Sequence, residues 1–325
     1  MSVSIIIPVY DDSYYLVKVL NDITKQSYPH NKIEVIIIEA GKNKENDVKA
    51  IFLNTKISLK YFHVQGLNRN ASLNLGIRNS MNSYIIRLDA RTHIKHDYIE
   101  ELIKLSKRTQ CTNVGGVKVP IGASKEQILI ARVMQDPLCL GGANFRKKDF
   151  EGNADTVYLG CYKKDEFIGK IKFDEKLIRI SEDADFNFNL KCIGKKTYVS
   201  SKIKAYYYCR ETIKKFIKLM FNYGVSRGLF VIKNKTITSL RQVILPTSSL
   251  ICIVMFFLGF KNLFFFYLLL LFILFYFLLI ITTSLIKNRK SIQNMTRYAA
   301  CLFGTHIAWT LGFFYSFILY FKYSL

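Results

Sequence analysis

The chain reads as an α/β domain followed by membrane helices. Three observations predict this. Short apolar runs alternate with helical stretches up to Asp89, acids stand where two of those runs stop, and from Val243 onward there is no Asp or Glu among long Phe, Leu and Ile runs. Strands separated by helical crossovers form a mostly parallel sheet with helices on both faces.

The elements follow in order. Residues 4–8 form a continuous apolar run closed by a proline, and Asp12 or Ser13 is placed to cap a helix reaching about Thr24. Residues 34–39 and 58–62 read as the second and third strands, 70–80 as a helix, and 84–89 as a fourth strand. Ligands of such sheets gather beyond the carboxyl ends of the strands. Tyr10, Asp11, Glu39 and Asp89 all fall there; the alternative is that each acid only caps the next helix. Beyond Val114 the pattern loosens, with Gly115, Gly116, Gly122, Gly141, Gly142 and Gly160 between short segments. A helix is expected from Glu182 to Ile193, ended by Gly194. In isolation, Ser181-Glu182-Asp183 is an ordinary helix start with acids in its first turn.

Residues 212–232 mix Phe216, Ile217, Leu219, Met220 and Phe221 with Lys214, Lys215 and Lys218. That pattern suits a helix lying in a membrane interface, and equally one packed on the soluble domain. Three uncharged runs follow: 243–260, 263–286 and 299–321, of 18, 24 and 23 residues. About 20 apolar residues cross a bilayer, so three spans are expected, the first the weakest. For 263–286 the competing reading is a buried core helix or a re-entrant hairpin. The expected domains are therefore 1–235 and 243–325.

The apolar start, residues 3–9, is too short and lacks the basic flank of a signal peptide, so the large domain is expected in the cytoplasm. Lys287, Arg289, Lys290 and Arg297 place the loop after the second span on that side. The formal charge is +23, and all but six of those charges lie in residues 1–242. Beside a membrane anchor, such a charge favours anionic lipid or pyrophosphate over nucleic acid. Seven cysteines without a Cys-x-x-Cys pair read as reduced thiols. There is no Walker loop, no Gly-x-Gly-x-x-Gly and no His-Glu-x-x-His.

The motifs in sequence resemble those of the family 2 glycosyltransferases. Val3-Ser4-Ile5-Ile6-Ile7-Pro8-Val9-Tyr10 resembles the family's first strand and nucleotide-contacting turn. Ala71-Ser72-Leu73-Asn74-Leu75-Gly76-Ile77 resembles the helix after the third strand, and residues 84–90 the strand leading to a metal-binding Asp-x-Asp. Residues 156–162, Phe167-Ile168-Gly169 and Phe173-Asp174-Glu175 are similar to the acceptor-side segment, Ser181-Glu182-Asp183-Ala184-Asp185 to the motif supplying the base, and Tyr223-Gly224 with Arg227 to the region after it. The subgroup most similar is the membrane-anchored exopolysaccharide type, as in succinoglycan synthesis.

The resemblance implies a GT-A type fold and transfer of a sugar from a UDP- or GDP-linked donor to a lipid-linked or membrane-associated saccharide, with inversion. It places Pro8, Tyr10, Asp11, Glu39, Asn70, Asp89, Ala90 and Arg91 at the nucleotide sugar, and Gly160, Cys161, Tyr162 and Arg227 toward the acceptor. Asp183, with Glu182 beside it, is the implied base, and Asp89 the ligand of Mg2+ or Mn2+. Two positions depart from the family pattern. Glu39 stands where an aspartate is common, and Arg91 holds the third position of Asp-x-Asp, where it cannot ligate a cation but suits a phosphate. His93-x-x-His96 reads as an exposed loop rather than a metal site. For Asp183 the helix dipole would lower the pKa while Glu182 and Asp185 would raise it. Two rival readings stay open: a polyprenyl-phosphate sugar transferase, and a non-catalytic membrane scaffold that keeps the fold. Processive synthesis would need a partner membrane protein to supply a channel.

Overall fold

The structure is a computed structural model, and it describes residues 1–10, 13–176, 182–289 and 291–323. The chain forms two compact units, Met1–Ile121 with Ala143–Tyr208, and Gly122–Gly142 with Cys209–Leu325. In chain order the elements are β1 (Val3–Val9), α1 (Ser13–Thr24), β2 (Ile33–Glu39), α2 (Glu45–Phe52), β3 (Ser58–His63), α3 (Arg69–Asn79), β4 (Tyr84–Arg87), β5 (Thr92–Ile94), α4 (Tyr98–Thr109) and β6 (Asn113–Ile121). Then come α5 (Lys125–Met134), α6 (Pro137–Leu140), β7 (Glu151–Asn153), β8 (Tyr158–Lys163), α7 (Glu182–Cys192), β9 (Thr197–Tyr208), α8 (Ile213–Asn234), α9 (Ile244–Gly259), α10 (Phe264–Lys287) and α11 (Ile292–Tyr323).

The first unit is built on one mixed sheet of order β3-β2-β1-β4-β8-β6-β9-β5, with β7 on β9. Its first half is parallel, as the alternating sequence requires: β1 lies between β2 and β4, and β3 is the outer strand. All seven residues of β1 and of β2 are buried, which explains their unbroken apolar runs. Of the three polar residues in those runs, Ser4 and Glu34 satisfy each other, Ser4 Oγ donating to Glu34 Oε2 at 2.5 Å, and Glu39 closes β2. The second half departs from the parallel pattern. β8 runs antiparallel to both β4 and β6, and only β6 and β9 pair in parallel. α3 packs closely on the sheet because Gly76 has no Cβ; one there would collide with Ile6.

The second unit does not follow the expected division at 235. Residues 122–142 belong with the helices that follow β9, and polar ties explain why. Gln127 Nε2 donates to the Cys209 carbonyl at 3.0 Å, Glu126 Oε2 accepts from Ile213 N at 3.1 Å, and the Tyr298 hydroxyl donates to Asp136 at 2.6 Å. α8 packs on α11 through glycines. A Cβ on Gly224, Gly228 or Gly312 would strike the backbone or Ser316 side chain of the facing helix. Two helices, Phe264–Lys287 and Ile292–Lys322, are long and apolar enough to cross a membrane by length and composition. The first expected span, 243–260, is a helix of 16 residues. At 1.5 Å per residue it is roughly 24 Å long, short of a hydrocarbon core of about 30 Å.

Candidate active site

A charged side chain is out of place in an inner strand, and Arg87 at the end of β4 is only 2% exposed. Its guanidinium serves three carboxylates. Nη2 donates to Asp89 Oδ1 at 3.1 Å and to Glu182 Oε1 at 2.5 Å, while Nη1 donates to Asp183 Oδ1. Arg69, the first residue of α3, brings a second guanidinium, its Nη1 lying 3.4 Å from both Asp89 Oδ2 and Glu182 Oε1. Residues 95 positions apart in the chain thus meet in one cluster.

Three asparagines at the N-cap and in α3 hold residues 173–175. Asn74 donates to the Phe173 carbonyl at 2.8 Å and accepts from Phe173 N at 3.0 Å. Asn70 Nδ2 donates to the Asp174 carbonyl at 2.6 Å, and Asn68 Nδ2 to the Glu175 carbonyl at 2.9 Å. Asn68 also caps α3, accepting from Ala71 N. One helix start therefore both presents Arg69 and anchors the segment leading toward α7. Further along α7, Asn187 donates to the Asp183 carbonyl at 2.7 Å and accepts from Asn113 at 2.7 Å.

Three carboxylates face two guanidiniums, so the cluster has one acid in excess. Burial pushes the Asp183 carboxyl up to about 7; Glu182 and Asp89 add to the rise, and Arg87 opposes it without prevailing. Burial also acts on Glu182, but Arg87 and Arg69 overcome it and hold that group below its ordinary value. Asp89 lies well below the carboxylate range, burial being outweighed by Arg87, Arg69 and Lys118. Asp183 is thus the member that takes up a proton near neutral pH.

The other expected site residues are placed as follows. Pro8 is buried in β1 opposite Ile38, Tyr10 is 67% exposed just past that strand, and Ala90 is buried. Asp11 and Ser181 lie outside the described residues. Glu39 is fully buried at the end of β2; its Oε1 accepts from Gly41 N at 2.9 Å, while Oε2 has no hydrogen-bond partner among the described residues. Asn70, expected at the nucleotide sugar, is buried and spends its amide on Asp174. Arg91, expected beside Asp89, lies with its guanidinium 4.4 Å from the centroid of the Tyr15 ring, a cation–π contact. Gly160, Cys161 and Tyr162, expected on the acceptor side, are buried in β8. Burial pushes the Cys161 thiol up to about 12. Arg227 lies on α8, in the second unit.

Reading the sequence alone missed Arg87. The signal for Arg87 was available, as a lone charge inside Tyr84-Ile85-Ile86-Arg87-Leu88 where a buried strand should be apolar.

The expected Mg2+ or Mn2+ does not fit this donor set. Both oxygens of Asp89 face guanidinium groups, Arg91 offers no acceptor, and His93 is 2.9 Å from Asp22. No group of three His, Cys, Asp or Glu suited to a metal occurs among the described residues.

Comparison with known proteins places this geometry. Residues 4–163 match the family model described as glycosyl transferase family 2. A Methanococcus voltae protein, dolichyl N-acetyl-alpha-D-glucosaminyl phosphate 3-beta-D-2,3-diacetamido-2,3-dideoxy-beta-D-glucuronosyltransferase, is 30% identical over 249 residues, covering 71% of this chain and 74% of its own. The chain belongs to glycosyltransferase family 2. A second relative of this glycosyltransferase, the succinoglycan biosynthesis protein ExoA of Rhizobium meliloti, is 25% identical over 161 residues, 50% of this chain and 48% of that protein. Among solved structures, mannosyltransferase PcManGT from Pyrobaculum calidifontis, in complex with GDP-Man and Mn2+, superposes with a TM-score of 0.61 at 12% identity, covering 94% of this chain and 86% of that one. Residues 1–349 of S. aureus TarS in complex with UDP-GlcNAc give 0.51 at 16%, covering 70% and 66%. These likenesses establish the GT-A fold of this glycosyltransferase.

Proposed function

We propose that this glycosyltransferase moves a sugar, with inversion, from a UDP- or GDP-linked donor to a lipid-linked saccharide of a surface polysaccharide, using Asp183 as general base. The observation that carries the reading is the convergence of Asp89 and Asp183 on the single guanidinium of Arg87. In this reading the donor lies beyond the ends of β1, β2 and β4, where Tyr10, Glu39 and Asp89 stand. The unpartnered Oε2 of Glu39 is an acceptor suited to a base N–H. The acceptor hydroxyl gives its proton to Asp183 as its oxygen bonds to the anomeric carbon. The bond from that carbon to the diphosphate oxygen breaks, and its electron pair leaves with the nucleoside diphosphate. A carboxyl near 7 suits a base at neutral pH, half of it ionised and still basic enough to take the proton.

Two apolar helices and a basic chain support a membrane setting with anionic lipid around it. The dolichyl-linked substrate in the name of the Methanococcus voltae relative supports a lipid-linked acceptor. The test is Asp183→Asn. Loss of transfer with nucleotide binding retained supports the base. Full turnover by the variant removes it and favours direct attack by a polyprenyl phosphate, an acceptor already ionised. A wild-type chain that binds a donor but never turns it over would point to the scaffold reading.

A further inference from the structure

The disagreement between this donor set and a divalent cation has a structural cause. A cation on the leaving diphosphate is held by carboxylate oxygens on the side facing the phosphates. In this chain each Asp89 oxygen already faces a guanidinium nitrogen, Arg87 Nη2 at 3.1 Å and Arg69 Nη1 at 3.4 Å. Arg87 is buried, whereas the Arg69 side chain is 46% exposed and turns only Nη1 to the two acids. The fork of a guanidinium has five N–H donors, so Arg69 keeps donors for an incoming anion. A third cation reinforces the field. The Lys118 ammonium is buried 4.3 Å from the Tyr158 ring centroid and 3.9 Å from that of Tyr207, and it acts electrostatically on Asp89. Arg91, by contrast, packs on the Tyr15 ring.

We propose that Arg69, held on Asp89 and Glu182 beside the buried Arg87, takes the place of a divalent cation on the leaving diphosphate, so that transfer by this chain needs no metal ion. This rests on the nucleotide-sugar reading above. As the bond to the anomeric carbon breaks, the electron pair passes to the diphosphate oxygen, and that charge meets the exposed edge of Arg69. Such a cation is always charged and is already oriented by two carboxylates.

The experiment uses the full chain in nanodiscs. Binding of UDP and of GDP is measured calorimetrically with excess EDTA and with added Mn2+, alongside the EPR spectrum of the Mn2+. The expected result is nucleotide affinity equal in both conditions within about threefold, and a Mn2+ signal unchanged by the protein. Arg69→Ala should weaken binding by about tenfold or more with no rescue by Mn2+, and Arg69→Lys should recover part of the loss. Binding that appears only with Mn2+, or a bound-Mn2+ spectrum lost in Asp89→Asn, overturns the metal-free inference while leaving the donor reading intact. Binding of neither nucleotide in either condition sinks the donor reading and this inference with it. The wild-type comparison decides the metal requirement even if Arg69→Ala fails to fold, and Arg69→Lys, which keeps the positive charge, then reads the role of Arg69.

Discussion

Replacing Arg87 by Met is the most direct test of the cluster. The change keeps the length and apolar stem of the side chain but removes the guanidinium from Asp89, Glu182 and Asp183. Breaking a buried ion pair costs about 3–5 kcal/mol, because the partner charge is left without compensation. Arg69 still reaches Asp89 and Glu182, so the lower half of that range is expected. For a unit of this size that corresponds to a fall in Tm of about 6–16 °C. The one tryptophan, Trp309, sits on α11 in the second unit, so its fluorescence is blind to the change. A suitable probe is Cys161, buried in β8 opposite Ile86 of β4. Its rate of thiol labelling, read by mass spectrometry, reports the opening of these strands. The deficit should be largest above about pH 8, where Asp183 is ionised along with the other two acids, and should shrink toward about pH 5 as Asp183 takes up its proton. A variant within about 1 kcal/mol of wild type at high pH, or a deficit that ignores pH, would refute the role given to Arg87.

Three further outcomes follow. Asp183→Asn should lower transfer by at least about a hundredfold, and the wild-type rate should rise with pH through about 7. Because the native Asp183 carboxyl holds its proton to a higher pH than the unfolded one, native stability falls as pH climbs from the ordinary carboxylate range through about 7. Thermal unfolding at high pH should accordingly show Asp183→Asn no less stable than wild type, and a markedly less stable variant would contradict the excess-acid picture. Glu39→Gln should weaken nucleotide binding by about tenfold in calorimetry, with equal affinity excluding Oε2 as a nucleotide contact. Asn74→Ala frees the Phe173 backbone at both its N–H and its carbonyl, so kcat should fall while nucleotide affinity stays; a pure loss of affinity would argue against a positioning role.

The parallel half of the sheet was legible because β1 and β2 are covered on both faces, which forces apolar runs interrupted by the mutually paired Ser4 and Glu34 and closed by Glu39. The acids at strand ends were legible for the same reason. The second half was not. The antiparallel placement of β8 depends on pairings with β4 and β6 that no local pattern encodes. Arg87 shows the limit best: its charge is visible in the sequence, but its meaning depends on Glu182 and Asp183, delivered by distant α7. Asn70 was expected at the nucleotide sugar, and the backbone partners of Asn68, Asn70 and Asn74 lie about a hundred residues away, where no local pattern reveals them. The breadth of the apolar set on α8 had a cause outside periodicity as well, because Gly224 and Gly228 seat the backbone of α11.

That glycine seam sets an order of events during synthesis. The groove at Gly224 and Gly228 is finished when α8 emerges, yet Trp309, Phe313 and Ser316, which fill it, are made some eighty residues later. Until then α8 carries an unfilled furrow, although α5, made earlier, already ties down its start through Glu126. The second unit therefore cannot lock shut until α11 has been made.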